Sequence, residues 1–173
     1  MSSGSWPQDE QTFKSWLQEH ALELLAGIGI GPGHRVLDYG CNTGAFAIPA
    51  AHLVGPNGRV LAVDIDAQAL ATLRQQARDM RLAQVEVIPI DAEADSLASV
   101  GSPVDFILLY DVLQVISDPL ALLLKLHGLL KPGGTLSVFP MHIGAERALD
   151  LATQGGLYVL QERWGMLLCF SPA

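Results

Sequence analysis

Cysteine is scarce in this 173-residue chain, and basic residues are outnumbered by acidic ones. The two cysteines, Cys41 and Cys169, lie far apart and form no CxxC pair. That excludes a disulfide scaffold and a structural zinc site, fits a reducing compartment, and makes the cytoplasm the expected location. The five histidines are equally dispersed, and no metal is expected. Ten Lys and Arg against 18 Asp and Glu leave a formal charge of −8. Such a surface repels phosphate backbones, so no nucleic-acid partner is predicted. Arg74, Arg78 and Arg81 are the one basic cluster, and their spacing describes a solvated helix face. Charged residues make up only 16% of the chain while apolar ones make up half, which excludes general disorder and provides for a core. The N-terminus lacks a basic start followed by an apolar run, so no signal peptide is predicted. The uncharged stretch Gly40–Gly58 contains four glycines, two prolines, two asparagines and a histidine, which disqualifies it as a membrane helix.

What is present alternates. Residues 8–25 have helical apolar spacing, with Phe13, Trp16, Leu17, Ala21, Leu24 and Leu25 near one face. Arg35–Tyr39, Val60–Ile65, Val85–Ile90, Asp105–Tyr110 and Thr135–Phe139 are short apolar runs that predict buried strands. Between them fall helices at Ala45–Leu53, from Asp66 through Met80, from Asp118 through Leu130, and at Ala145–Thr153. Asp66 and the Asp118-Pro119 pair are helix-start signals. Lys131–Gly134 predicts a turn, and Leu157–Arg163 with Met166–Phe170 a closing hairpin. The pattern predicts one α/β domain over residues 1–173: a doubly wound, mostly parallel seven-stranded sheet, Rossmann-like, with a C-terminal antiparallel hairpin.

In open α/β sheets the ligand crevice lies beyond the carboxyl ends of the strands. The first strand ends in Asp38-Tyr39-Gly40-Cys41-Asn42-Thr43-Gly44, whose glycines allow a sharp turn and close approach of a ligand. The second ends in Asp64, 26 residues after Asp38, and an acid there can accept from both hydroxyls of a ribose. A dinucleotide fingerprint needs G-x-G-x-x-G, whose second glycine admits a pyrophosphate. Here the glycines are four apart with Asn42 between them, and Asp38 stands where a pyrophosphate would be repelled and an ammonium group welcomed. A nicotinamide oxidoreductase is therefore disfavoured.

VLDYGCNTG resembles the first motif of the class I S-adenosylmethionine-dependent methyltransferases. The similarity continues in order through VLAVDID, VIPIDAEA, FILLYDVLQVI and LLKPGGTLSVF, covering about residues 33–139. The small "type 11" methyltransferases, relatives of quinone-biosynthesis enzymes, look most alike. Asn42 departs from the glycine usual in the family, although asparagine tolerates left-handed backbone. A second departure is brevity, since no substrate lid is recognisable.

The resemblance implies S-adenosylmethionine as cofactor and assigns roles by position. Asp38 would hold the ammonium end of the methionine part, with a strand-end acid bonded to nearby backbone as the plain alternative. Gly40, Cys41, Asn42 and Gly44 would wrap the methionine part, or merely form a tight turn. Cys41 has no histidine nearby in sequence and reads as a packing residue rather than a nucleophile. Asp64 would accept from the ribose diol, and Ile65 would lie on the adenine or simply pack. Asp91 would accept from the adenine amino group and Ala92 contribute backbone, against a solvated acidic loop with Glu93 and Asp95. Tyr110 would offer its carbonyl to the ammonium. Gln114, Met141 and His142 are candidates for the substrate side, His142 being the one histidine placed to act as a base. No catalytic residue is named beyond these.

The implied activity is methyl transfer to a small molecule. A module that binds the cofactor without catalysis, as a sensor or partner subunit, is the alternative, and an open site would favour it. A homodimer in which a second copy supplies the lid would restore the enzyme.

Overall fold

The computed structural model describes residues 7, 9–90, 97, 100, 101 and 103–173. Seven strands pair into one sheet: β1 (Arg35–Tyr39), β2 (Arg59–Asp64), β3 (Val85–Pro89), β4 (Val104–Tyr110), β5 (Leu130–Phe139), β6 (Tyr158–Trp164) and β7 (Leu167–Pro172). Their order is β3-β2-β1-β4-β5-β7-β6. The first five are parallel, and β7 runs antiparallel to both β5 and β6. The expected doubly wound sheet with a closing hairpin is therefore the observed one. The order of the strands reverses at β1, with β2 and β3 to one side of it and β4 and β5 to the other, which opens a crevice at the carboxyl ends of β1 and β4.

Side chains alternate across the pleat and fill two cores. On one face Val36, Val60, Ala62, Phe106 and Leu108 pack with residues of α1 (Glu10–Glu19), α2 (Ala21–Gly27), α3 (Ala47–Val54) and α4 (Ala67–Asp79). On the other, Leu37, Leu61, Val63, Ile107 and Leu109 pack with α5 (Pro119–His127) and α6 (Ala145–Thr153). With both faces covered, central strands have no polar face, which explains their near-continuous apolar sequences. The helix starts follow local chemistry. Asp66 accepts from the amides of Gln68 and Ala69, and Asp118 accepts from that of Ala121.

Three elements differ from the sequence expectation. The helix expected over residues 8–25 is two helices broken at His20, whose φ of −108° and ψ of 18° leave the helical range. Its ring Nδ1 lies 2.9 Å from the Trp16 carbonyl oxygen, which marks the end of α1. The helix after Asp118 stops at His127 rather than at Leu130, because Leu130 already belongs to β5. The Lys131–Gly134 turn lies inside a longer strand: it bulges out between the Val104–Leu130 and Phe106–Thr135 pairs. Lys131 meets Asp105 at 2.7 Å there, and Asp105 also accepts from the Arg35 amide at 2.8 Å, which ties together the starts of β1, β4 and β5.

Candidate active site

Strand register decides which strand-end groups meet. Asp38 pairs with Ala62 across β1 and β2 and shares its face, so Asp64, two residues beyond Ala62, rises on that face too. The turn after β1 rests on β2, because Gly40 and Cys41 both donate to the Val63 carbonyl. Gly40 has φ 79°, and a Cβ there would stand 2.4 Å from Val112 Cγ2. Gly44 has φ 98°, and a Cβ would stand 2.4 Å from Leu73 Cδ1. Asn42 is left-handed at φ 47°, with its side-chain oxygen accepting from the Thr43 amide at 2.7 Å. The asparagine therefore adopts the conformation that a glycine would supply.

Asp64 closes the same turn. One of its oxygens accepts from the Asn42 amide at 2.7 Å and the other from the Asp66 amide at 2.9 Å. It thus joins the loops after β1 and β2, a structural duty beside the ribose role implied for it. Asp38 is only 2% exposed, and its Oδ2 has no hydrogen-bond partner. Burial, with the Asp64 carboxylate nearby, pushes its carboxyl up to about 7. A buried acceptor without a donor demands explanation, and a cationic donor from a ligand provides one.

Two adjoining clefts share Gly40, Asn42 and Asp111. The smaller, about 200 Å³, is lined by Asp38, Cys41, Phe46, Tyr110 and Phe139 and walled by Lys14 and Gln18 of α1. The larger, about 440 Å³, is lined by Asp64, Ile65, Ile90, Val112, Val115 and Ile116. Ile65 and Val115 are large, exposed apolar side chains. Anionic at one end and apolar at the other, the pair suits an amino-acid ammonium in the first cleft and a nucleoside in the second. The fit to the cofactor rests on two observations: the unpartnered Asp38 oxygen, and the bare Gly40 backbone shared by both clefts.

The other residues singled out from the sequence divide. Cys41 is buried, and burial followed by the Asp38 and Asp64 charges raises its thiol far above the ordinary range, which suits packing and not nucleophilic attack. Tyr110 is buried, with its hydroxyl 2.8 Å from Ser137 Oγ and its ring edge-on to Phe46. Gln114 is tied back to Asp111, donating to its carbonyl and to Oδ1, and lines neither cleft. Met141 is in the core beneath the rim. His142 stands exposed at the end of β5 with φ 68°, its amide donating to Glu10 and its Nδ1 3.6 Å from that carboxylate. Asp91 and Ala92 lie outside the described residues.

No lid is recognisable in the sequence, and in the structure α1 supplies one wall of the smaller cleft through Lys14 and Gln18. Helix α1 lies against the carboxyl ends of β4 and β5. Glu10 meets His142, the Phe13 and Phe139 rings are centred 5.4 Å apart, and Lys14 pairs with Asp111. Lys14, Gln18 and Phe46 were not singled out from the sequence. An amphipathic helix announces its apolar stripe, not the surface on which the stripe will rest. Among the described residues no helix is long and apolar enough to cross a membrane, and no group of three His, Cys, Asp or Glu residues could hold a metal ion.

A protein-family model for a methyltransferase domain matches residues 30–154. A ubiquinone/menaquinone biosynthesis C-methyltransferase of Shewanella sp. (strain W3-18-1) is 31% identical over 138 residues, covering 78% of this chain and 53% of that protein. A demethylmenaquinone methyltransferase of Oceanobacillus iheyensis is 26% identical over 124 residues, covering 72% and 50%. The chain spans about half the length of these curated relatives. Among solved structures, a SAM-dependent methyltransferase from Aquifex aeolicus superposes with a TM-score of 0.70 at 21% identity, covering 95% of this chain and 96% of that one.

Proposed function

Because the chain belongs to the family of methyltransferase domains, we propose that it binds S-adenosylmethionine across the two clefts and transfers its methyl group to a small molecule. The observation that carries this reading is the buried Asp38 carboxylate, whose Oδ2 has no hydrogen-bond partner, beside the glycine turn and with Asp64 at the next strand end. The bound sulfonium supplies an already activated methyl group. Asp38 receives the ammonium, Asp64 accepts from the ribose hydroxyls, and Ile65 and Val115 flank the base. The Gly40–Gly44 turn lets backbone approach the ligand where a side chain would intrude.

The remaining task of the chain is to place an acceptor in line with the carbon–sulfur bond. Orientation of this kind contributes about 7–11 kcal/mol to barrier lowering, so no catalytic dyad is required. Where the acceptor carries a proton, His142, just beyond β5, is the candidate base, although it lines neither cleft, and such a base contributes about 10²–10⁴-fold. Glu10 beside the ring would hold the imidazolium that forms. The named functions of the curated relatives, in ubiquinone and menaquinone biosynthesis, support a small-molecule acceptor. Helix α1, which walls one side of the smaller cleft through Lys14 and Gln18, favours catalysis over a bare binding module, because a more enclosed site suits methyl transfer better than an open one.

Isothermal titration calorimetry tests the cofactor. S-adenosylmethionine and S-adenosylhomocysteine are expected to bind, and NAD(H) and NADP(H) are not. Micromolar NAD(H) affinity with no response to S-adenosylhomocysteine would overturn the assignment.

A further inference from the structure

The amino-acid tail of S-adenosylmethionine or S-adenosylhomocysteine carries two opposite charges on one carbon. An anion-lined cleft answers only one of them. Asp38 can serve the ammonium, but the carboxylate bonded to the same carbon must then enter a site already holding Asp38 and Asp111. An unpaired carboxylate there would be strongly disfavoured. Of the described residues lining this cleft, Lys14 alone is cationic.

Lys14 is well supported for that duty. Phe13 and Leu17 are fully buried and anchor α1, and Lys14 and Gln18, one turn apart, present a polar face to the cleft. The Lys14 ammonium is paired with Asp111 Oδ2. Asp111 is itself held, its Oδ1 accepting from the Gln114 amide at 2.7 Å and its own amide donating to the Phe139 carbonyl at 2.9 Å. An ammonium has three N–H donors, and Asp111 occupies only part of that capacity.

Resting on the cofactor reading above, we propose that Lys14 is the residue that binds the cofactor carboxylate, with Asp111 and Gln114 as positioning residues behind it. Charges then alternate along the cleft: Asp38, ligand ammonium, ligand carboxylate, Lys14, Asp111. Because Lys14 belongs to α1, a ligand with the complete zwitterionic tail also fastens α1 against the cleft. A ligand lacking the carboxylate binds without doing so.

The experiment compares S-adenosylhomocysteine with its decarboxylated analogue, S-adenosyl-3-thiopropylamine, by calorimetry on the full chain, as wild type, Lys14→Met and Lys14→Arg. Methionine keeps the apolar stem and removes the charge. A charge-assisted hydrogen bond corresponds to roughly 10–150-fold in affinity. Lys14→Met is expected to lose about that factor for S-adenosylhomocysteine and to keep its affinity for the amine within about twofold, with Lys14→Arg largely rescuing the loss. Hydrogen exchange in wild type is expected to show added protection of residues 10–19 with S-adenosylhomocysteine and little with the amine. Equal weakening of both ligands by Lys14→Met, or weakening of neither, would overturn the proposal while leaving the cofactor assignment standing. Should Lys14→Met fail to fold, the wild-type preference for S-adenosylhomocysteine over the amine, together with the exchange data, decides the matter: no preference and no added protection refute it. Binding of neither ligand to wild type would remove the cofactor reading itself, and this proposal with it.

Discussion

With Asp38 in the proposed role of receiving the ammonium, cofactor affinity is expected to depend on pH near neutrality. The Asp38 carboxyl is buried, faces Asp64 and is pushed up to about 7 in the free chain. Only the ionised form receives an ammonium, and a bound ammonium stabilises that form, so the pKa falls in the complex. Above about pH 8 the free carboxyl is already ionised and affinity is at its full value. Below 7 it must lose its proton to bind, and affinity falls up to tenfold per pH unit until the pKa of the complex is reached. Between pH 8 and pH 6 the ionised fraction drops by about tenfold, which corresponds to about 1.4 kcal/mol. Calorimetry with S-adenosylhomocysteine at pH 6, 7 and 8, in two buffers of different ionisation enthalpy, reads both the loss and the release of nearly one proton per ligand at pH 6. Asp38→Asn is expected to lower affinity at pH 8 by roughly 10–150-fold and to flatten the pH dependence.

The same substitution acts on stability in the opposite direction. A folded pKa above the ordinary 3.8 means that Asp38 favours the folded chain most at low pH, and that this advantage is lost as pH rises through 7. Over about three pH units the difference is at most about 4 kcal/mol. Asp38→Asn therefore raises the melting temperature of the ligand-free chain at pH 8 relative to wild type, and changes it little at pH 4. Wild-type affinity that stays constant from pH 6 to 8, or a pH dependence that survives in Asp38→Asn, would refute the assignment.

Two further outcomes follow from the turn after β1. Gly40→Ala places a methyl group 2.4 Å from Val112 Cγ2 on left-handed backbone, and thermal melts are expected to show a loss of about 1–3 kcal/mol that Val112→Ala partly restores. An unchanged melt would show that the turn relaxes freely. Asp64→Asn removes a charge that accepts from two backbone amides, so stability falls by about 1–3 kcal/mol and S-adenosylhomocysteine affinity by roughly 10–150-fold. A stability loss without an affinity loss would make Asp64 a turn residue only.

The sequence by itself determined what depends on near neighbours along the chain. The strands are legible because burial on both faces leaves their interiors almost wholly apolar, as in Phe106–Leu109. The Asp66 and Asp118 caps are legible because each acid bonds amides two or three residues on. The turn after β1 is legible because Gly40, Asn42 and Gly44 tolerate positive φ. The split of the first helix at His20 was not legible, since its apolar stripe runs on through the break. Only the tertiary structure brought Asp38 and Asp64 onto one face, through the register of β1 on β2. Only burial left an Asp38 oxygen without a donor and raised its carboxyl to about 7. Placement of Lys14 against Asp111, 97 residues away, depends on where Phe13 and Leu17 find apolar surface, beside Phe139 at the strand ends. Burial of an apolar stripe is non-directional, so local pattern announces that α1 must dock, and the shape of the assembled sheet decides where.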